Sequence, residues 1–251
     1  MTTRPTEASA GRGRTRTAAE TTRRRLVRAA EQLFAEHGVD GARTRDITER
    51  AGQANSSALH YHFGSRDGLL RAILAEHQAR VERALAVGLA PPEDGGAEAE
   101  AAEARAAKAG GGATELTRLV AAYIEAEASE LRDESGRDCL RIVSQLAHET
   151  GFRDGRPHET LAGGVLWGVF TRVAELVRTG GGGPGDGVRR AVLPDALARE
   201  RVELMVMLVG SAFADRARHV QAGRPRPVEG AAFRADLVRV VVAMLTAPGP
   251  S

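Results

Sequence analysis

Lysine is almost missing from this chain: of 35 cationic side chains, only Lys108 is not an arginine. Its positive charge is therefore carried by planar guanidinium groups, which stay protonated and match carboxylates and phosphates in a fixed fork. Cysteine is as scarce, and the lone Cys139 excludes an internal disulfide. Gly136 and Val143, near one turn to either side, bring no thiol or imidazole, so Cys139 reads as a buried small hydrophobe. Aromatic residues make up 4%, which leaves aliphatic side chains and alanine to fill the core of a 251-residue chain. No apolar run follows Met1, and the longest hydrophobic block, Leu204 to Val209, is far too short to cross a bilayer. A reducing cytoplasm, with no membrane partner, is the expected location. Strand-pair and hairpin signals are missing too.

What is present is an asymmetry of charge. The net charge is only +2, yet residues 1–66 hold twelve basic and seven acidic groups, and the remainder has an acidic excess of three. Arg23, Arg24, Arg25 and Arg28 stand at the start of the first helical pattern, behind an arm carrying Arg4, Arg12, Arg14 and Arg16. Such a block suits a polyanion, because each neutralised phosphate releases counterions; a solvated basic face accounts for it equally well.

Residues 1–19 offer almost nothing to bury and are expected to be a disordered arm. Leu26, Ala29, Ala30, Leu33, Phe34 and His37 then repeat at the spacing of one helical stripe, stopped by Gly38. Thr44 is placed to cap a second helix containing Ile47 and Ala51, which Gly52 ends. Asn55 or Ser56 caps a third, with Ala58, Leu59 and Phe63 inward and the short or polar Ser56, Ser57, His60 and Tyr61 outward. After Gly64 and Ser65, a long fourth helix runs through Leu69, Ile73, His77, Val81 and Leu85. Two short helices with a tight turn, the second bearing small polar groups, form a helix-turn-helix pattern.

The run RRRLVRAAEQLFAEHGVDGARTRDITERAGQANSSALHYHFGSRDGLLRAIL resembles the DNA-binding domain of TetR-family transcriptional regulators over roughly residues 22–74. Several features coincide in order: AAEQLFAEHG, RDITERAG, a short helix ending in YHF, and GSRDGLL opening the next. The stretch from Ala51-Gly52 to His62-Phe63 is one residue longer than the family's commonest spacing, and His60 stands where tyrosine is usual, with Tyr61 beside it. By resemblance, Thr44 and Arg66 hold phosphates, with Arg45 in the same DNA-facing set. Asn55, Ser56, Ser57 and His60 approach the major groove, Tyr61 touches backbone or bases, and Phe63 packs inward. The resemblance further implies an all-helical homodimer of about nine helices per chain. It would read a palindromic operator in double-stranded DNA and leave it when an unidentified small-molecule effector enters the second domain. The final two helices would pair between subunits.

The expected organisation is thus an arm at 1–19, a reading domain at 20–66, and a helical regulatory and dimerisation domain at 67–248 joined through a linker helix, with a flexible loop at 88–113. In the second domain, helices are expected over Leu116–Leu131 and Leu140–Ala147. Another is opened by Pro157, one by Pro194, and a last covers Phe233–Leu245. LMVMLV at 204–209 is apolar all round, as a segment buried by its own core or by a second subunit would be. Gly164 and Gly168 permit close helix packing. Tyr123, His148, Phe152, Trp167 and Phe170 are the candidate effector contacts, with ordinary core packing the competing reading.

No cofactor or metal is expected. His60 and His62 lack a ligand partner at i+4, His148 and Glu149 stand alone, and the glycines at 180–187 lack the strand and Lys-Ser/Thr of a phosphate loop. An enzyme is therefore disfavoured. The alternative within nucleic-acid binding is an architectural protein with neither sequence preference nor effector.

Overall fold

The computed structural model describes residues 8–90, 111–159, 161–180 and 193–249. Their regular structure is all α-helical: α1 (Ala8–His37), α2 (Thr44–Arg50), α3 (Ser57–Phe63), α4 (Arg66–Leu89), α5 (Gly111–Ser129), α6 (Glu134–Leu146), α7 (Val165–Thr179), α8 (Asp195–Gln221) and α9 (Gly230–Thr246), with a 3-10 turn at Glu130–Arg132. Among these residues there is no strand. Helix α1 begins at Ala8, so backbone expected to be a disordered arm is helical from there on; Ala and Arg are both strong helix formers. Residues 91–110 of the expected loop, and 181–192 of the glycine-rich one, lie outside the described residues.

The chain divides into two compact units, Met1–Leu74 and Ala75–Ser251, so the boundary falls within α4 and not ahead of it at residue 66. The reason is burial: Leu69 and Ile73 on the first turns of α4 are in the core with Leu26, Phe34, Ile47 and Leu59. In the second unit α6 packs on α8, α5 on α9, and α7 on both α5 and α8. Val81 and Leu85 of α4 join Val120, Ile124, Phe170, Val209 and Phe213 there in one apolar core. Cys139 is buried and forms no disulfide. Arg201 of α8 donates to the carbonyls of Leu245 at 2.9 Å and Pro248 at 3.0 Å, where the last carbonyls of α9 have no helical donor.

Two expectations for this unit fail. Pro157 opens no helix: residues 147–159 and 161–164 are irregular, and α7 starts at Val165. Gly151, at a φ of +73°, turns the chain so that Arg156 and His158 donate back to Gly151 and Thr150 at 3.0 Å. The helix start is set instead by Glu82, whose carboxylate accepts from the Leu166 N–H at 3.2 Å. Gly168 faces open space, so it serves no close helix contact; Gly164 does, against Glu82 and Gln78. The block Leu204–Val209 is split: Met205, Val206 and Val209 are buried, whereas Leu204 and Met207 are 41% and 36% exposed.

The second unit also buries an ionic knot. The Glu130 carboxylate lies 2.9 Å from His77 Nδ1 and accepts from Arg80 Nε at 3.0 Å and Nη2 at 2.7 Å. Burial alone would raise the Glu130 carboxyl, but these hydrogen bonds outweigh it and hold the group at about 2. Glu127, hydrogen-bonded to Tyr123 nearby, is pushed the other way by burial. A carboxyl held below its ordinary 4.5 adds stability that is complete above that value and is lost as pH falls toward 2. Glu130→Gln should therefore lower the unfolding free energy at neutral pH by about 2–4 kcal/mol, since it takes the charged acceptor from the Arg80 guanidinium and from the buried His77 ring. In urea titrations followed by circular dichroism, this difference should shrink through the acid range. Glu127→Gln, which keeps the shape and a hydrogen-bonding group beside Tyr123, should cost about 1 kcal/mol or less.

Candidate nucleic-acid interface

Helix α2 is seven residues long, and its ends define it. The capping position is Arg43, in extended conformation with no side-chain bond, so Thr44 is the first helical residue and not the expected cap. At the other end Gly52 adopts a φ of +69°, and the Gln53 N–H closes the turn on the Thr48 carbonyl at 2.9 Å. A side chain at Gly52 would have space but a strained backbone, which fixes the turn at this residue. Asn55 Oδ1 then accepts from the Ser57 N–H at 2.9 Å, so Asn55 supplies the side-chain bond at the start of α3 and Ser56 does not. Leu59, fully buried, pins α3 to the core; burial of one such side chain is worth about 1.5–3 kcal/mol.

With that face held, the other face projects outward. Arg45, Asn55, Ser56, Ser57, His60 and Tyr61 are exposed and Thr44 is half-buried. Thr44, Arg45, Asn55, Ser56 and His60 share the lining of one open cleft of about 620 Å³, together with Thr48, Glu49, Gln53 and Ala54. Ser57 and Tyr61 stand outside that lining. Tyr61 is 81% exposed, an unusual position for a large ring. The His60 ring bonds through Nδ1 to the Gly64 carbonyl at 2.9 Å. A carbonyl only accepts, so Nδ1 carries hydrogen and, in the neutral ring, Nε2 is left as an outward acceptor.

Arg66 differs from expectation. Its Nε donates to the Ala42 carbonyl at 2.8 Å, its guanidinium lies 5.1 Å over the Phe34 ring, and its Nη2 is buried without a hydrogen-bond partner. Nε and Nη2 are thus turned into the unit, while Nη1 donates to the exposed Asp67 carboxylate at 3.3 Å. Thr48, Glu49 and Gln53 went unrecognised in the sequence although they line the cleft. The i to i+4 spacing from Thr44 places Thr48 on the same side of α2, and Gln53 is the first polar side chain after the turn.

The candidate effector contacts lie in the second unit, and four of the five converge. Tyr123 and Phe170 meet edge-on at 5.2 Å, Phe152 and Trp167 at 4.9 Å, and Phe152 and Phe170 at 6.1 Å. His148 is not among them: its side chain is 62% exposed and faces Glu149 at 3.6 Å. Among the described residues, no group of three His, Cys, Asp or Glu side chains is placed to hold a metal ion, and no helix is long and apolar enough to cross a membrane.

Residues 26–73 match the model of the family described as bacterial regulatory proteins, tetR family. Residues 26–73 thus form a domain of the kind found in the tetR family of bacterial regulatory proteins.

The chain is 36% identical over 59 residues to the HTH-type transcriptional repressor AcnR of Corynebacterium glutamicum, covering 24% of this chain and 31% of that one. It is 33% identical over 64 residues to its namesake from Corynebacterium diphtheriae, covering 26% and 33%. It thus spans about a third of the length of these curated relatives. Among solved structures, a gamma-butyrolactone receptor (ArpA like protein) aligns over 90% of this chain and 98% of its own at 22% identity, with a TM-score of 0.46. Salmonella enterica GusR aligns over 90% and 96% at 21% identity, with a TM-score of 0.45.

The two kinds of residue at this face separate experimentally. Arg66→Met should lower thermal stability by about 1–3 kcal/mol, because the Ala42 carbonyl loses a charged donor. Tyr61→Ala should leave it within about 0.5 kcal/mol, as expected of an exposed position. Differential scanning calorimetry of both variants makes the comparison.

Proposed function

We propose that this protein is a ligand-responsive repressor that binds a near-palindromic operator as a homodimer. The observation that carries the reading is the convergence of Arg45, Asn55, Ser56 and His60 around one outward cleft on α2 and α3. The first turn of α3 bears serines small enough for close approach to base edges, and Asn55 and the outward His60 Nε2 supply polar contacts to them. Arg45, Thr44 and Tyr61 take phosphate and sugar contacts, which set register. Arg66 acts behind them as a positioning residue. Repression is supported by the name of the corynebacterial relatives.

Dimerisation is supported by an apolar strip on the last two helices. Leu204 and Met207 of α8 and Val240 of α9 are apolar side chains left exposed among the described residues. Two copies joined there would present two reading heads, which must lie roughly 34 Å apart to occupy successive major grooves. For the effector, the Tyr123, Phe152, Trp167 and Phe170 cluster supplies an aromatic wall, with Phe152 held on the irregular segment 147–159 and not on a helix. An effector that binds one of two arrangements of this unit more tightly lowers the fraction of dimers able to reach both half-sites. Helix α4, continuous through Leu74 and Ala75, is the element common to both units.

Selection from a random oligonucleotide pool tests the reading directly. An enriched inverted repeat, bound with an affinity that falls steeply as salt rises, is expected; a pool returning no motif would refute it in favour of the architectural alternative. Tyr61→Ala should weaken operator binding about tenfold or more while remaining folded. Leu204→Glu with Met207→Glu should yield a folded monomer by sedimentation equilibrium, and a folded dimer of unchanged affinity would remove these residues from the interface.

A further inference from the structure

The turn between α8 and α9 concentrates arginine in a way that neither DNA reading nor the apolar strip uses. Arg216 near the end of α8, Arg226 in the connecting segment and Arg239 on α9 line one open cleft of about 390 Å³, floored by Phe233 and Val228. Arg216 is 8% exposed; its Nη2 donates to the Val228 carbonyl at 2.7 Å, and its guanidinium lies 4.3 Å over the Phe233 ring. Among the described residues, no carboxylate pairs with it. The neighbouring acids are already engaged: Asp215 binds Arg226, and Asp236 binds Arg239 at 2.9 Å. Arg234, on the same helix, is held by Glu125 at 2.6 Å.

Three further observations point to a missing acceptor. Arg226 Nε is buried and has no hydrogen-bond partner. The first turn of α9 receives no side-chain cap, so its free N–H groups and positive dipole end lie beside the cleft. The Arg216 guanidinium is also destabilised in its charged form, by burial first and then by the charges of Arg226 and Arg234. A buried cation among other cations is costly unless an anion completes it.

We infer that this cleft binds the carboxylate or phosphate group of a small molecule, with Arg216 as its fork and the Arg226 guanidinium, which lines the cleft, as a second cation. Phe233 holds the Arg216 plane in place for bidentate contact. Asp236, on the cleft wall, bars a large polyanion such as nucleic acid and limits the ligand to a compact one. The site shares no residue with the α2–α3 cleft or with the aromatic cluster, so it stands or falls independently of the function proposed above.

Isothermal titration calorimetry and thermal unfolding of the full chain, with inorganic phosphate and with malonate against sodium chloride at matched ionic strength, test it. Saturable binding of at least one probe, with a raised melting temperature, is expected. Arg226→Gln should weaken that binding about tenfold or more, and Asp236→Asn should strengthen it, a gain that a purely structural role would not produce. Binding of phosphate alone assigns the site to phosphate esters, and of malonate alone to organic acids. No saturable effect beyond that of chloride, or equal effects in wild type and both variants, would overturn the inference. So would phosphate dissociating a dimer in sedimentation experiments, since the acceptor would then be a carboxylate of a second copy.

Discussion

A buried carboxylate held charged is the interaction on which the second unit depends. Glu130 sits where α5 gives way to the 3-10 turn, and its partners His77 and Arg80 lie one turn apart on α4. The contact therefore fixes both the distance and the rotation of α4 against α5, which the neighbouring apolar contacts of Val81 and Leu85 alone would not. Side chains such as these slide past one another at small cost, whereas a bidentate guanidinium and an imidazole on one carboxylate admit a single register. In a chain with so few aromatic rings and no disulfide, ionic struts take over part of what shape complementarity does elsewhere.

The reading unit uses the same device with an uncharged acceptor. Arg66, at the first residue of α4, reaches back to the carbonyl of Ala42 and lies against Phe34 of α1. It thereby ties the start of α4 to the connection between α1 and α2. Arg23 over the Phe63 ring, 5.4 Å away, makes a comparable link from α1 to the end of α3. These cation-ring contacts put arginine inside the scaffold as well as on its face. The basic excess of residues 1–66 consequently exceeds the charge available to a polyanion, because part of it is spent on architecture.

Much of this was legible in the sequence, and the exceptions share a cause. The stripe Leu26, Ala29, Ala30, Leu33, Phe34 and the punctuation at Gly38, Gly52 and Gly64 marked the first three helices and the outward set, because those signals are local. Five of the eight residues expected to face DNA line one cleft for the same reason. Contacts set by distant pairing were hidden. Arg66 reads as an exposed cation until Ala42, twenty-four residues away, claims it. Segment 147–164 carries a proline and an apolar Leu161 that imitate a helix start, but hydrogen bonds back to Gly151 and Thr150 win locally. The capping guess at Thr44 failed because α2 begins one residue too early for its hydroxyl to serve.

The edge-on contact of Phe152 with Trp167 has an optical consequence. Trp167 is the single tryptophan of the chain and belongs to the second unit, whereas both tyrosines are divided, Tyr61 in the first and Tyr123 in the second. Light absorbed and re-emitted near the red edge of the protein spectrum therefore comes from one unit alone. The helix-turn-helix is silent in that channel and is followed through its backbone ellipticity. A denaturation curve recorded in both channels at once separates the melting of the reading head from that of the body that carries it, without a label on either.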